Sequence, residues 1–153
     1  MNFHAVTGLP RSGTTLICNI LNQNPRFYAS STSPIPHVLS NLVHTWSNAV
    51  EMKALLEKQK EETEMRMEVS ARAMIENWYT HKEKPVIFDK SRSWSASNLM
   101  LRKLFPKSKI LVCVRNLLNV FASIEKQHQK NPLLDEAESL NEKTVYNRAD
   151  RMF

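Results

Sequence analysis

The sequence predicts an α/β fold with a central parallel sheet flanked by helices, and three observations support this prediction. Short apolar segments with strand composition alternate with longer segments that carry apolar residues at helical spacing. The five consecutive apolar residues at 110–114 are typical of a strand covered on both faces, as in a parallel sheet. The two glycines of the chain, Gly8 and Gly13, both lie between the first predicted strand and the first predicted helix.

The first half of the chain predicts a strand, a glycine loop and a helix, followed by a mainly helical region. Asn24-Pro25 ends the first helix, because proline cannot continue the helical hydrogen bonds. Residues 57–66 are nearly all polar, so we expect a solvated helical excursion at about 35–80. In chain order the patterns predict a strand at 3–7, a loop at 8–13, a helix at 14–23, a strand at 27–29, a polar loop at 30–36 and helices at 35–46 and 48–78.

The second half alternates strands and helices more regularly. The run at 85–89 is an apolar strand that ends in a carboxylate, and the run at 109–114 is the clearest strand of the chain. Pro106 and Pro132 interrupt the helical patterns. The remaining predicted elements are helices at 94–105, 117–129 and 135–153.

Length and composition indicate one soluble domain over residues 1–153. No apolar run approaches the roughly 18 residues that cross a bilayer, and no secretory signal is visible, so we expect a cytoplasmic protein without a membrane span. The net charge of +6 suits either an anionic partner or an ordinary basic surface, and we expect no nucleic-acid partner. Cys18 and Cys113 lie in predicted core segments without the spacing of a zinc site.

Residues 8–15 (GLPRSGTT) connect the first strand to the first helix and carry several anion-binding groups. A glycine loop that opens a helix leaves backbone N–H groups unpaired, and the helix dipole adds partial positive charge. Thr14 and Thr15 add hydroxyl donors and Arg11 adds a cation. The spacing resembles the nucleotide loop GxxxxGK[ST], but Thr14 replaces its lysine, which counts against a magnesium-bound triphosphate. The alternative interpretation is an ordinary strand-to-helix turn.

Two further groups of residues follow predicted strands. Arg115 lies at the end of one strand, and Ser123 lies about two turns into the next helix. Together they could bind a second phosphate. The alternative is a surface arginine and an unrelated helix serine. Asp89-Lys90 at the end of another strand is either a strand-end ion pair or, through Asp89, a magnesium ligand. Because the carboxyl ends of parallel strands meet at one edge, we expect the loop at 30–36, Asp89-Lys90 and Arg115 to lie near the glycine loop.

Residues 8–16 resemble the 5′-phosphosulfate loop of sulfotransferases that use PAPS (3′-phosphoadenosine 5′-phosphosulfate). Arg115 and Ser123 resemble the 3′-phosphate motif of the same family. The likeness covers about residues 5–149 and extends to the tyrosylprotein sulfotransferase branch. The stretches that carry it are 36–39, Trp46-Ser47, Asp89-Lys90, 104–109 and 146–149.

The resemblance implies a P-loop NTPase-like, three-layer fold and in-line transfer of a sulfuryl group from PAPS to an acceptor hydroxyl or amine. PAP (3′,5′-adenosine bisphosphate) would be the product, and no metal is required. Arg11 would stabilise the leaving phosphate and Lys90 the transferring sulfuryl group, while Arg115 and Ser123 would hold the 3′-phosphate. The residues implied to hold the 5′-phosphosulfate are Pro10, Arg11, Ser12, Gly13, Thr14 and Thr15.

Two departures from the family leave other functions open. Ser30-Ser31-Thr32 stands where the tyrosylprotein branch has Glu-Glu-Thr, which supplies the general base. Cytosolic members use a histidine instead, and this chain has Arg92 near that position. His37 and Asp89 are therefore the nearest general-base candidates. Family members also continue past this C-terminus, which predicts a short fold and an apolar edge that invites a partner chain. A P-loop kinase or hydrolase and a non-catalytic PAP- or PAPS-binding fragment remain alternatives. The acceptor is open among sugar, peptide tyrosine, lipid and small molecule.

Overall fold

A computed structural model describes residues 1–130, and within that range four strands form one parallel sheet. The order across the sheet is β2-β3-β1-β4, so the first strand lies between the third and the fourth. This arrangement confirms the predicted α/β fold with a parallel sheet. The strands are β1 (Asn2–Gly8), β2 (Phe27–Ala29), β3 (Val86–Lys90) and β4 (Ile110–Cys113).

The helices of the described residues follow the predicted order, except that two of the predicted helices are each divided into two elements. The helix predicted at 48–78 is broken at Gln59, whose φ of −148° and ψ of 60° lie outside the helical region. The helix predicted at 94–105 is a short 3-10 turn, Arg92–Trp94, followed by a separate helix. The helices are α1 (Thr14–Leu21), α2 (Ile35–Asn48), α3 (Val50–Lys58), α4 (Lys60–Thr80), α5 (Asn98–Leu104) and α6 (Leu117–Lys130). The helix predicted at 135–153 lies outside the described residues.

The two faces of the sheet are packed in separate apolar clusters, which gives the predicted three-layer, P-loop-like arrangement. Phe3, Ala5 and Ile87 face a cluster completed by α2, α4 and α5. Val6 and Phe88 point to the other face and pack with Cys18 of α1. Burial of a large apolar side chain stabilises the fold by about 1.5–3 kcal/mol, so these two clusters are the main source of stability. Among residues 1–130, no helix has the length and apolar character needed to cross a membrane.

The expectation that both faces of β4 are covered holds only in part among the described residues, because Ile110 and Cys113 pack against the two clusters while other residues of the run are exposed. Within residues 1–130, β4 is at the end of the strand order and pairs with β1 alone. Val112 is 62% exposed, and Val114, which follows the strand, is 87% exposed. An apolar run indicates a strand, but the strand order decides whether that strand lies at the centre or at the edge of the sheet.

The register brings the carboxyl ends of the strands together. Gly8 at the end of β1 pairs with Cys113 at the end of β4, and Val6 pairs with Lys90 at the end of β3. The loops that leave these strands therefore meet at one edge of the sheet, where ligands of parallel α/β proteins bind.

Candidate active site

The loop between β1 and α1 is built from backbone conformations that few residues adopt. Gly8 has a φ of 152° and Gly13 a φ of 105°, and Arg11 between them has a φ of 63°. A left-handed Arg costs about 1–2 kcal/mol relative to the ordinary conformation, and such strain is concentrated at functional sites. The first intrahelical bond of α1 runs from the Ile17 N–H to the Gly13 carbonyl. The N–H groups before Ile17 therefore have no intrahelical acceptor and are suited to bind an anion.

The two predicted phosphate motifs meet at Arg11. The Arg11 Nε donates a hydrogen bond to Ser123 Oγ at 2.9 Å, across 112 residues of sequence. The Arg115 Nη1 donates to the Arg11 carbonyl oxygen at 2.9 Å. The end of β4 and the helix α6 thus place Arg115 and Ser123 beside the loop, and both arginines are exposed.

Lys90 approaches the loop from the other side. Its side-chain Nζ donates to Thr15 Oγ1 at 3.0 Å, in the first turn of α1. Its backbone N–H donates to Ser30 Oγ at 2.7 Å, which connects the end of β3 to the loop after β2. The ammonium group is therefore held next to the N-terminus of α1. Pro10, Ser12, Gly13 and Thr14 complete the loop between these contacts.

A cavity of about 400 Å³ adjoins the loop on the β4 side. Gly8, Ser12, Arg92 and Arg115 are among its lining residues. Arg92 begins the 3-10 turn, and its carbonyl accepts a hydrogen bond from Thr7 Oγ1 at 3.1 Å. The cavity provides space next to the loop that is bordered by two cationic side chains.

Asp89 lies apart from this group, although Lys90 is its neighbour in sequence. Adjacent residues of a strand point to opposite faces, so Asp89 points into the core while Lys90 points toward α1. Asp89 has 0% exposure, and its carboxylate accepts hydrogen bonds from the Tyr79 hydroxyl and from Trp94 Nε1, the latter at 2.6 Å. Asp89 is therefore not placed to bind magnesium at the loop or to take a proton from an acceptor.

The other predicted base candidate, His37, is not brought into the site either. His37 lies exposed on α2, where its Nε2 is 3.2 Å from Asn41 Nδ2 one turn along the helix. Ser31 is exposed in the loop after β2. In residues 1–130, neither His37 nor Asp89 makes a hydrogen bond with Lys90 or the glycine loop. In the same range, no three His, Cys, Asp or Glu side chains are grouped to hold a metal ion.

Sequence reasoning missed the residues that surround Asp89. Tyr79 continues the buried face of α4 after Ala71 and Ile75, but the helix predicted at 48–78 stopped one residue before it. Trp94 is fully buried at the end of the 3-10 turn. The sequence signal that could have indicated them was an aspartate in an apolar strand. A buried carboxylate requires hydrogen-bond donors nearby, so donors such as Tyr79 and Trp94 could have been expected around it.

The pH dependence of stability should carry the signature of Asp89. Burial raises the pKa of the Asp89 carboxyl above its ordinary value of 3.8, against the opposing hydrogen bonds from Ser33, Tyr79 and Trp94. In the pH window between 3.8 and the raised pKa, the folded state binds more protons than the unfolded state, so stability falls as pH rises. We expect the wild type to gain stability relative to Asp89→Asn as pH is lowered from 7 toward 4, measured by urea denaturation at several pH values. An opposite or absent trend would contradict the raised pKa.

The fold and the loop define a P-loop-like α/β protein with cations gathered at the carboxyl edge of its sheet. A protein-family model described as the sulfotransferase family matches residues 5–152. The chain therefore belongs to the sulfotransferase family, which confirms the family resemblance of the sequence. No curated protein gives a significant match to this sequence.

Proposed function

We propose that this protein transfers the sulfuryl group of PAPS to an acceptor hydroxyl or amine and releases PAP. The observation that carries the proposal is the contact of Arg115 and Ser123 with Arg11 in the glycine loop. A donor with phosphates at both its 5′ and 3′ positions matches two anion-binding motifs placed side by side. ATP lacks a 3′-phosphate and would use only the first motif. Membership of the sulfotransferase family supports the same donor.

The loop residues suit the 5′-phosphosulfate. The side-chain oxygen of Ser12 is buried and has no hydrogen-bond partner among the described residues, although a buried hydroxyl normally has one. An anion in the loop would supply that partner and would also accept hydrogen bonds from the free N–H groups of α1. The residues proposed to hold the 5′-phosphosulfate are Pro10, Arg11, Ser12, Gly13, Thr14 and Thr15.

The chemistry of the transfer is positioning and charge stabilisation. A bond forms between the acceptor atom and sulfur while the bond from sulfur to the bridging phosphate oxygen breaks, and the acceptor proton leaves to a base or to water. Negative charge grows on the departing phosphate and on the sulfuryl oxygens. Arg11 and Lys90 are the cations proposed to meet these two charges, and fixed cations of this kind lower the barrier without forming a covalent bond.

Within the family, we place the chain with the tyrosylprotein sulfotransferase-like branch. The stretches at 36–39 and 104–109 and the pair Asp89-Lys90 support this placement. Ser31 in place of a carboxylate separates the chain from that branch at the position of the base. Acceptor loops diverge most among related enzymes, so the proposal names the acceptor only by its hydroxyl or amine.

Calorimetric titration with PAP, and separately with ATP and magnesium, tests the donor. We expect PAP to bind in preference to ATP, and Arg115→Ala to weaken PAP binding by about 10- to 100-fold, because charge-assisted hydrogen bonds contribute roughly 1.5–3 kcal/mol. Arg102→Ala, which removes an exposed arginine of α5, is the matched control and should leave PAP binding unchanged.

PAPS turnover tests the reaction and is followed as PAP release with a tyrosine peptide, an oligosaccharide and a simple phenol as acceptors. Release that depends on one of them supports the transferase. A preference for magnesium-ATP would instead indicate a P-loop kinase or hydrolase. Tight PAP binding without turnover of any acceptor would indicate a non-catalytic PAP-binding protein.

A further inference from the structure

A buried polar group connects the helical region to the edge of the sheet where the candidate site lies. The Tyr79 hydroxyl donates to Asp89, and it also interacts with the side chains of Ser30 and Ser33. Trp94 Nε1 donates to the second oxygen of Asp89. We refer to Tyr79, Asp89, Trp94, Ser30 and Ser33 as the Tyr79 cluster.

The members of the Tyr79 cluster come from four separate segments. Tyr79 is in the last turn of α4, Asp89 is in β3, Trp94 ends the 3-10 turn, and Ser30 and Ser33 follow β2. Tyr79 is 3% exposed, Asp89 and Trp94 are 0% exposed, and Ser30 is 4% exposed. The cluster therefore fixes three segments of the sheet edge against one helix.

Lys90 is held by two members of this cluster. It follows Asp89 directly in the chain, and its N–H donates to Ser30 Oγ at 2.7 Å. From this backbone position its Nζ reaches Thr15 Oγ1 at 3.0 Å. A displacement of Ser30 or Asp89 would move the lysine relative to the glycine loop, and errors of about 1 Å in a reacting group can cost about 100-fold in rate.

Burying these polar groups costs more free energy than filling the same space with apolar side chains. A buried carboxylate loses its hydration, and apolar side chains of the same volume often stabilise a fold as well or better. What a satisfied polar cluster adds is a fixed direction for each hydrogen bond. The pKa of Tyr79 is raised by burial and by the Asp89 charge, so its hydroxyl remains a donor at neutral and alkaline pH.

We infer that Tyr79 is a positioning residue for Lys90, acting through Asp89 and Ser30 at a site whose activity is the proposed function above. Tyr79→Phe removes only the hydroxyl and retains the ring that packs against Phe3 and Tyr28. The expected result is a kcat for PAPS turnover lowered by about 10- to 100-fold, with the dissociation constant for PAP unchanged within about twofold. Tyr28→Phe removes a hydroxyl from the neighbouring ring and should change neither quantity.

A double-mutant cycle separates positioning from general destabilisation. In a Lys90→Ala background, Tyr79→Phe should have no further effect on kcat, because the group that it positions is gone. An equal loss of kcat in both backgrounds, an unchanged kcat in the single variant, or a parallel loss of PAP binding would each overturn the inference.

Hydrogen exchange tests the inference without activity. Tyr79→Phe should speed exchange of the Lys90 amide at least about tenfold and leave the amides of Val86 and Ile87 at their wild-type rates, while Tyr28→Phe should leave all three unchanged. Unchanged protection of the Lys90 amide overturns the inference even when PAPS turnover is normal. Absent turnover with the expected exchange pattern counts against the proposed function alone.

Discussion

Lys90→Ala is expected to lower the rate of sulfuryl transfer from PAPS by about 100- to 1,000-fold and to change the dissociation constant for PAP by less than about threefold. The ammonium group is held 3.0 Å from Thr15 Oγ1 at the N-terminus of α1, so it is in place before the reaction and needs no reorganisation. PAP lacks the sulfuryl group that Lys90 is proposed to contact. The loss should therefore appear in kcat, measured as PAP release, and not in PAP binding measured by calorimetry.

Two lysine variants make this result specific. Lys84→Ala removes a lysine that precedes the other end of β3, where its Nζ donates to the Pro25 carbonyl at 2.7 Å, and it should retain full activity. Lys90→Arg keeps the charge but changes its shape, so it should recover only part of the rate. A Lys90→Ala protein with wild-type kcat would show that Lys90 takes no part in the transfer step.

The glycine loop and its partners could be predicted because each depends on local sequence and on one general rule. Positive φ angles at Gly8 and Gly13 follow from the turn between a strand and a helix. The approach of Arg115 and Lys90 to the same loop follows from the parallel sheet, whose strand ends meet at one edge. The hydrogen bond from Arg11 to Ser123 depends on side-chain geometry, which no sequence pattern specifies.

The face of the sheet to which the Asp89 side chain points could not be predicted from its position at a strand end. Strand alternation requires Asp89 and Lys90 to point to opposite faces, but it does not say which face carries the loop helix. That choice depends on the side of the sheet on which α1 packs, and the structure places α1 on the face of Lys90. Tyr79 was unpredictable as the donor to Asp89 because the contact depends on how α4 returns to the sheet.

The edge position of β4 and the break at Gln59 had no local signal. β4 has the composition of a central strand, and only the order β2-β3-β1-β4 shows that one of its sides is unpaired in the described residues. Gln59 interrupts a polar segment without a glycine or a proline, so no local signal marks the point where α3 ends and α4, which contacts it, begins. The strand order is set by contacts between elements, which periodicity does not encode.

Gly8→Ala is expected to destabilise the fold by about 3 kcal/mol or more, the largest stability effect that we predict. A methyl group at Gly8 would lie 2.6 Å from the Cys113 carbonyl oxygen and 2.7 Å from Ser12 Oγ. The first of these atoms belongs to the backbone of β4 and cannot rotate away. The residue also has a φ of 152°, which side chains disfavour. Urea denaturation of the wild type and the variant measures the loss.

Gly13→Ala separates the contact from the backbone strain. Gly13 has a φ of 105°, but no atom of the described residues lies within 4 Å of a methyl group at that position. We expect a loss of only about 1–2 kcal/mol, from the left-handed conformation alone. Because Gly8 pairs with Cys113, separation of β1 from β4 in Gly8→Ala would also shift Arg115 and weaken PAP binding at temperatures where the variant is still folded. Equal losses in the two variants would show that the close approach of β4 to Gly8 does not limit stability.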